Sequence, residues 1–125
     1  MLRHALPLLV GLCPTVGLAD DVGSLSINLP LGEDAGVVVQ RYRCGDDAPF
    51  AVRYVNAEPN QIAILPVDDQ PRIFVSVIAA SGARYVAGPY EWWTKGQTAT
   101  LRNELQEGGG AECGAVTPSE FRTGD

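Results

Sequence analysis

A chain of 125 residues, 46% hydrophobic and 19% charged, can bury one compact core and is too short for two ordinary domains. Its formal net charge of −6 disfavours nucleic acid and anionic membrane surfaces as partners and favours a basic one. Past the first nineteen residues, nothing approaches the roughly 18 continuous apolar residues with which a helix crosses a bilayer.

Residues 1–19, MLRHALPLLVGLCPTVGLA, carry Arg3 and His4, run apolar over 5–12, and close on Gly17 and Ala19 before two aspartates. That is the layout of a secretory signal peptide cleaved after Ala19, and Pro7 and Pro14 fit a leader better than a core element. A lipoprotein signal needs a small residue before its cysteine, but Leu12 precedes Cys13. A periplasmic or secreted protein without a lipid anchor is therefore expected. Cleavage removes one Arg and the only His, leaving eight Lys plus Arg against fifteen Asp plus Glu, a net charge of −7. Cys13 leaves with the leader, and Cys44 and Cys113 remain as a pair in an oxidising compartment. Their disulfide would close a loop of about 70 residues, which the chain-entropy model values at roughly 4 kcal/mol.

The stretch 20–36, DDVGSLSINLPLGEDAG, is rich in turn formers and charge and reads as an arm or linker. Within it Leu25, Ile27, Leu29 and Leu31 alternate with Ser26, Asn28 and Pro30. This is the period of a half-buried strand, and Pro30 would confine it to an edge.

From Val37 the pattern is all-β. Candidate strands are VVVQRYRC (37–44), FAVRYV (50–55), QIAILPV (61–67), RIFVSVIA (72–79), ARYVA (83–87), YEWWT (90–94), TATLRN (98–103) and ECGAV (112–116). Each is short, β-branched or aromatic, and bounded by Gly, Pro, Asn or Asp. Eight such strands on short loops predict an antiparallel meander closing into a small β-barrel over 37–116, followed by a tail at 117–125. The disulfide would staple the first strand to the last, where an open sheet would expose two edges.

In such a meander successive turns alternate between the two ends. The Ser81-Gly82 and Lys95-Gly96 turns, separated by one turn at Gly88-Pro89, therefore fall at the same end, and Ser81 and Lys95 can be neighbours. Alternation along YEWWTK sets Tyr90, Trp92 and Thr94 on one face and Glu91, Trp93 and Lys95 on the other. The second face is expected to be the wetter one, with Trp92 in the core and Trp93 partly exposed beside a cation.

The paired stretches SGARY at 81–85 and YEWWTKG at 90–96 resemble the signature of the bacterial inhibitors of c-type lysozyme, the MliC (membrane-bound) and PliC (periplasmic) family, and the lack of a lipidation cysteine is expected to set the chain with the soluble, PliC-like form. The similarity runs from about Tyr42 to Cys113 and takes in YRC, FAVRY, ILPVD and both cysteines. It implies an eight-stranded barrel that inserts a loop into the lysozyme cleft, with Ser81 and Lys95 as the inhibitory residues. It also implies that Gly82, Tyr85, Tyr90, Thr94 and Gly96 support the turns; Arg84, beside the Ser81 turn, and Trp93, a partly exposed aromatic near a protruding turn, are further candidate contacts on their positions alone. The chain is then a protein inhibitor, not an enzyme, needs no cofactor, and has c-type lysozyme as its partner.

Two other readings bear on the same residues. Asp46-Asp47 and Asp68-Asp69 suggest a catalytic dyad or calcium ligands, but in predicted turns they read as solvated turn formers. The mature chain also offers no histidine or free thiol for zinc or nucleophilic chemistry. The second alternative is a binding module whose Tyr85, Tyr90 and Trp93 stack on sugars at a barrel mouth. A homodimer formed through the amino-terminal arm is a further expectation left open at this level.

Overall fold

The computed structural model describes residues 23–118. The signal peptide expected at 1–19, and part of the arm and of the tail, lie outside them. Eight strands follow one another: β1 (Gly36–Cys44), β2 (Phe50–Ala57), β3 (Asn60–Val67), β4 (Gln70–Val77), β5 (Ala83–Ala87), β6 (Tyr90–Lys95), β7 (Thr98–Asn103) and β8 (Ala111–Ala115). Each pairs antiparallel with the next, and β1 pairs with β8, so the sheet closes as an eight-stranded barrel. Closure satisfies the backbone groups that a flat meander would leave along two edges.

Alternation fills the interior. Tyr42, Val52, Leu65, Phe74, Tyr85, Trp92, Ala99 and Cys113 form one buried cluster to which all eight strands contribute. Trp92 is fully buried, edge-on to Tyr42 at 5.0 Å between ring centroids and to Phe50 at 5.9 Å. Its indole N–H needs a partner at that depth, and it donates to the Tyr54 hydroxyl at 2.9 Å. Tyr54 and Tyr42 share a further hydrogen bond at 3.1 Å. Burial pushes the Tyr54 and Tyr85 phenols above the usual tyrosine range, because a phenolate there would lose its water.

Cys44 and Cys113 face each other across β1 and β8 and are disulfide-bonded, joining the first and last strands at the barrel seam. They are 69 positions apart, so the staple constrains most of the barrel.

Two expectations change. The alternating segment around Leu25–Leu31 is not a strand, and Leu25, Ile27 and Leu29 are exposed. Pro30 removes one donor, and β1 is already paired on both sides at its carboxyl-terminal end, leaving the arm no continuous edge to join. The fourth strand spans 70–77 rather than 72–79. It starts early because Asp68 and Asp69, at φ 51° and 58°, complete a tight turn on their own. It ends at Val77 because that residue, opposite Arg84, is the last to pair with β5. Residues 78–82 are thereby released as a loop, with Ile78 fully exposed at its root.

Candidate functional site

The β4–β5 loop (78–82) and the β6–β7 turn after Lys95 lie at the same end of the barrel, as the meander requires. They touch each other. Gly82 adopts φ +68°, and a Cβ there would sit 2.0 Å from the Thr94 carbonyl oxygen and 3.0 Å from Lys95 Cγ. Only glycine allows that approach. Gly96, at φ +58°, turns the chain directly after Lys95, and Thr98 Oγ1 donates to the Lys95 carbonyl at 3.0 Å. Thr94 Oγ1 donates to the Ala83 carbonyl at 3.3 Å, tying β6 to the foot of the Ser81 loop.

Trp93 lies between the two. Its indole N–H donates to the Ser81 carbonyl at 2.9 Å, and the Lys95 ammonium stands 4.2 Å from its ring centroid, within cation–π range. Lys95 is the only lysine in the chain. Among the described residues it has no carboxylate within salt-bridge distance, and the Ser81 hydroxyl has no hydrogen-bond partner. Both are exposed. This end therefore presents a positive charge and a hydroxyl, side by side on short, tied loops, with their bonding capacity unspent.

Residues 42–108 match the MliC family model, described as membrane-bound lysozyme-inhibitor of c-type lysozyme. The chain belongs to the MliC family. Across 116 residues, 86% of this chain and 91% of the relative, it is 38% identical to the membrane-bound lysozyme inhibitor of C-type lysozyme of Pseudomonas aeruginosa. A relative of the same name from Cupriavidus necator is 48% identical over 66 residues, and the chain spans 53% of that relative's length. Among solved structures, P. aeruginosa MliC in complex with hen egg white lysozyme matches with a TM-score of 0.59 at 37% identity, covering 75% of this chain and 99% of that one. PliC-St, a periplasmic lysozyme inhibitor of C-type lysozyme from Salmonella typhimurium, matches at 0.54 and 26%, covering 64% and 98%.

In this MliC-family barrel the residues singled out by sequence fall into three places. Ser81, Gly82, Trp93, Thr94, Lys95 and Gly96 come together at one end, and Arg84 stands beside them with its guanidinium 6.0 Å from the Trp93 ring. Tyr85 is inside the barrel, 5.7 Å from the Tyr54 ring, so it supports the core beneath the loop rather than the loop itself. Tyr90 is at the opposite end, where its hydroxyl donates to Asp68 at 3.2 Å and Arg72 lies 4.7 Å from its ring. It cannot shape either turn, since the full length of β6 separates it from Lys95.

Glu91 corrects the expected wet face. Its outward direction is right, yet it is buried, because Arg84 on β5 and Arg102 on β7 close over it. Arg84 Nε donates to Glu91 Oε2, and Arg102 Nη2 approaches Glu91 Oε1 at 3.3 Å while also pairing with Glu104. Two guanidinium groups offset the desolvation of one carboxylate. The register could have signalled this: Glu91 is directly opposite Arg102 and diagonal to Arg84, but only once the strands are threaded. Arg84 is thus an ion-paired strand residue rather than a free surface arginine.

Proposed function

We propose that this protein inhibits c-type lysozyme by presenting Ser81 and Lys95 to the two catalytic carboxyl groups in the enzyme's cleft. The observation carrying this reading is the pairing of an exposed, uncompensated ammonium with a free hydroxyl on two loops that touch through Gly82. A retaining lysozyme works with one carboxyl protonated as general acid and the other ionised. An ammonium delivered between them favours both ionised forms and so removes the proton that the leaving group requires. The Ser81 hydroxyl donates to a carboxylate and occupies space that a sugar ring would fill. Neither group reacts: the inhibition is stoichiometric occupation. Each charge-assisted hydrogen bond is worth about 1.5–3 kcal/mol.

The charge balance supports the same partner. The mature chain, at −7, attracts a basic lysozyme from a distance, and the single lysine at the docking end meets the acidic cleft. Names in the family include membrane-bound and periplasmic forms. With Leu12 ahead of Cys13, we place this member with the soluble exported form. The glycan-binding alternative needs Tyr85, Tyr90 and Trp93 on one surface, whereas they lie in the core, at the far end and at the loop end respectively.

The test is lysis of a peptidoglycan suspension by c-type, g-type and i-type lysozymes with the mature protein at equal molarity. Inhibition confined to the c-type enzyme is expected. No inhibition of any of the three, with the disulfide intact, would refute the proposal.

A further inference from the structure

Building on the inhibitory reading, we infer that Trp93 is the positioning residue of the site: it sets the Ser81 loop and the Lys95 ammonium in their docking geometry before lysozyme arrives. Three contacts converge on one side chain. The indole N–H holds the Ser81 carbonyl at 2.9 Å, and among the described residues this is the one side-chain hydrogen bond to loop 78–82. The ring faces the Lys95 ammonium at 4.2 Å. The Arg84 guanidinium is 6.0 Å from the same ring, and Arg84 is itself fixed by the buried Glu91, which Arg102 clamps from the other side.

The physical need is plain on both sides of Trp93. Loop 78–82 lies outside the strand ladder, so the bond to the Ser81 carbonyl ties it to β6 and limits where the hydroxyl can point. A lysine side chain otherwise samples many rotamers, and freezing it on binding costs affinity. The aromatic face confines it while leaving its hydrogen-bond donors free for a carboxylate. A tryptophan spent on core packing would do neither, and Trp92, its neighbour, already fills that role. A tryptophan acting only as an exposed anchor would need no bond to Ser81 and no cation on its ring.

Two substitutions separate the contacts. Trp93→Phe removes the N–H but keeps a ring for Lys95, and Trp93→Leu removes both. With the full mature protein and a c-type lysozyme, Trp93→Phe should raise the dissociation rate about 3- to 10-fold, the range of one lost hydrogen bond. Trp93→Leu should raise it by about 10- to 100-fold, with the association rate nearly unchanged in both. Positioning further requires coupling: Trp93→Phe should have much less effect on a Ser81→Ala background, and Trp93→Leu much less on Lys95→Ala. Equal effects on parent and background would overturn the inference and make Trp93 a direct contact. So would a Trp93→Leu protein that dissociates no faster than the parent.

A readout independent of lysozyme uses the single lysine. Reductive ¹³C-methylation labels Lys95 and the amino terminus, and the Lys95 methyl signal should lie upfield in the parent through the indole ring current. It should return to the free-lysine position in Trp93→Leu; an unshifted parent signal would overturn the inference. A parent that binds no c-type lysozyme would instead refute the inhibitory reading, and the methyl signal would still decide whether Trp93 holds Lys95.

Discussion

The two ends of this barrel are built from the same short hairpins and use their polar groups in opposite ways. At the end carrying Asp68, Tyr90 and Glu104, the groups satisfy one another: Tyr90 donates to Asp68, Arg102 pairs with Glu104, and the Glu104 amide donates to the Pro89 carbonyl. At the other end the backbone is tied as firmly, through Trp93, Thr94 and Thr98, yet the Ser81 hydroxyl and the Lys95 ammonium are left over. Fixed backbone with unspent side chains is what a docking surface needs, because partner bonds then cost little further ordering. A merely structural end has no reason to leave a charge and a hydroxyl unpaired.

That contrast can be broken or sharpened by substitution. The largest effect on stability should come from the seam: Cys44→Ser with Cys113→Ser should lower it by about 4 kcal/mol in denaturant titration. The folded fraction should still bind lysozyme, since the bridge belongs to neither loop. Gly82→Ala comes next. A Cβ 2.0 Å from the Thr94 oxygen, at φ +68°, forces the Ser81 loop away from Lys95, and a loss of inhibition of about 100-fold is expected on strain of roughly 1–2 kcal/mol plus the displacement. Gly88→Ala is the matched control at the other end, with φ +56° and open space around it. It should cost about 1 kcal/mol of stability and leave the inhibition constant unchanged. Lys95→Ala should weaken binding by about 1.5–3 kcal/mol and reduce the salt dependence of the dissociation constant, read by calorimetry at two ionic strengths.

The smallest predicted effect involves the shared core rather than either end. Tyr54 and Tyr85 have phenols raised by burial, so the unfolded chain releases those protons first. Their contribution to stability is fully present below about pH 10 and is lost as the pH rises above it. Thermal midpoints measured between pH 9 and 11 should fall, and tyrosinate absorbance should reach its full amplitude only on unfolding.

Much of this was legible beforehand. Eight β-rich runs with turn residues between them gave the meander, and alternation put Trp92 inside and Trp93 outside. Parity of turns brought Ser81 and Lys95 to one end, and two cysteines in a chain read as exported gave the bridge. What escaped depended on register and side-chain direction. Glu91 is buried only because Arg84 and Arg102 fall diagonal and opposite to it. The bond from Trp93 to Ser81 depends on which way one indole turns. The signature stretch at 90–96 groups Tyr90 with the turn-supporting residues, although turn parity already sets Gly88-Pro89, and Tyr90 after it, at the far end. The alternation of Leu25, Ile27 and Leu29 promised a strand, yet these side chains are exposed and the segment lies outside the sheet, where Pro30 removes one donor.

The measurement that tests the central claim most directly is the dissociation constant of the Ser81→Ala, Lys95→Ala double variant with a c-type lysozyme, beside Gly88→Ala and the parent. The account predicts a loss of about 10²- to 10⁴-fold for the double variant, the range of two charge-assisted hydrogen bonds, and parent affinity for Gly88→Ala. A folded double variant that binds as tightly as the parent would contradict it.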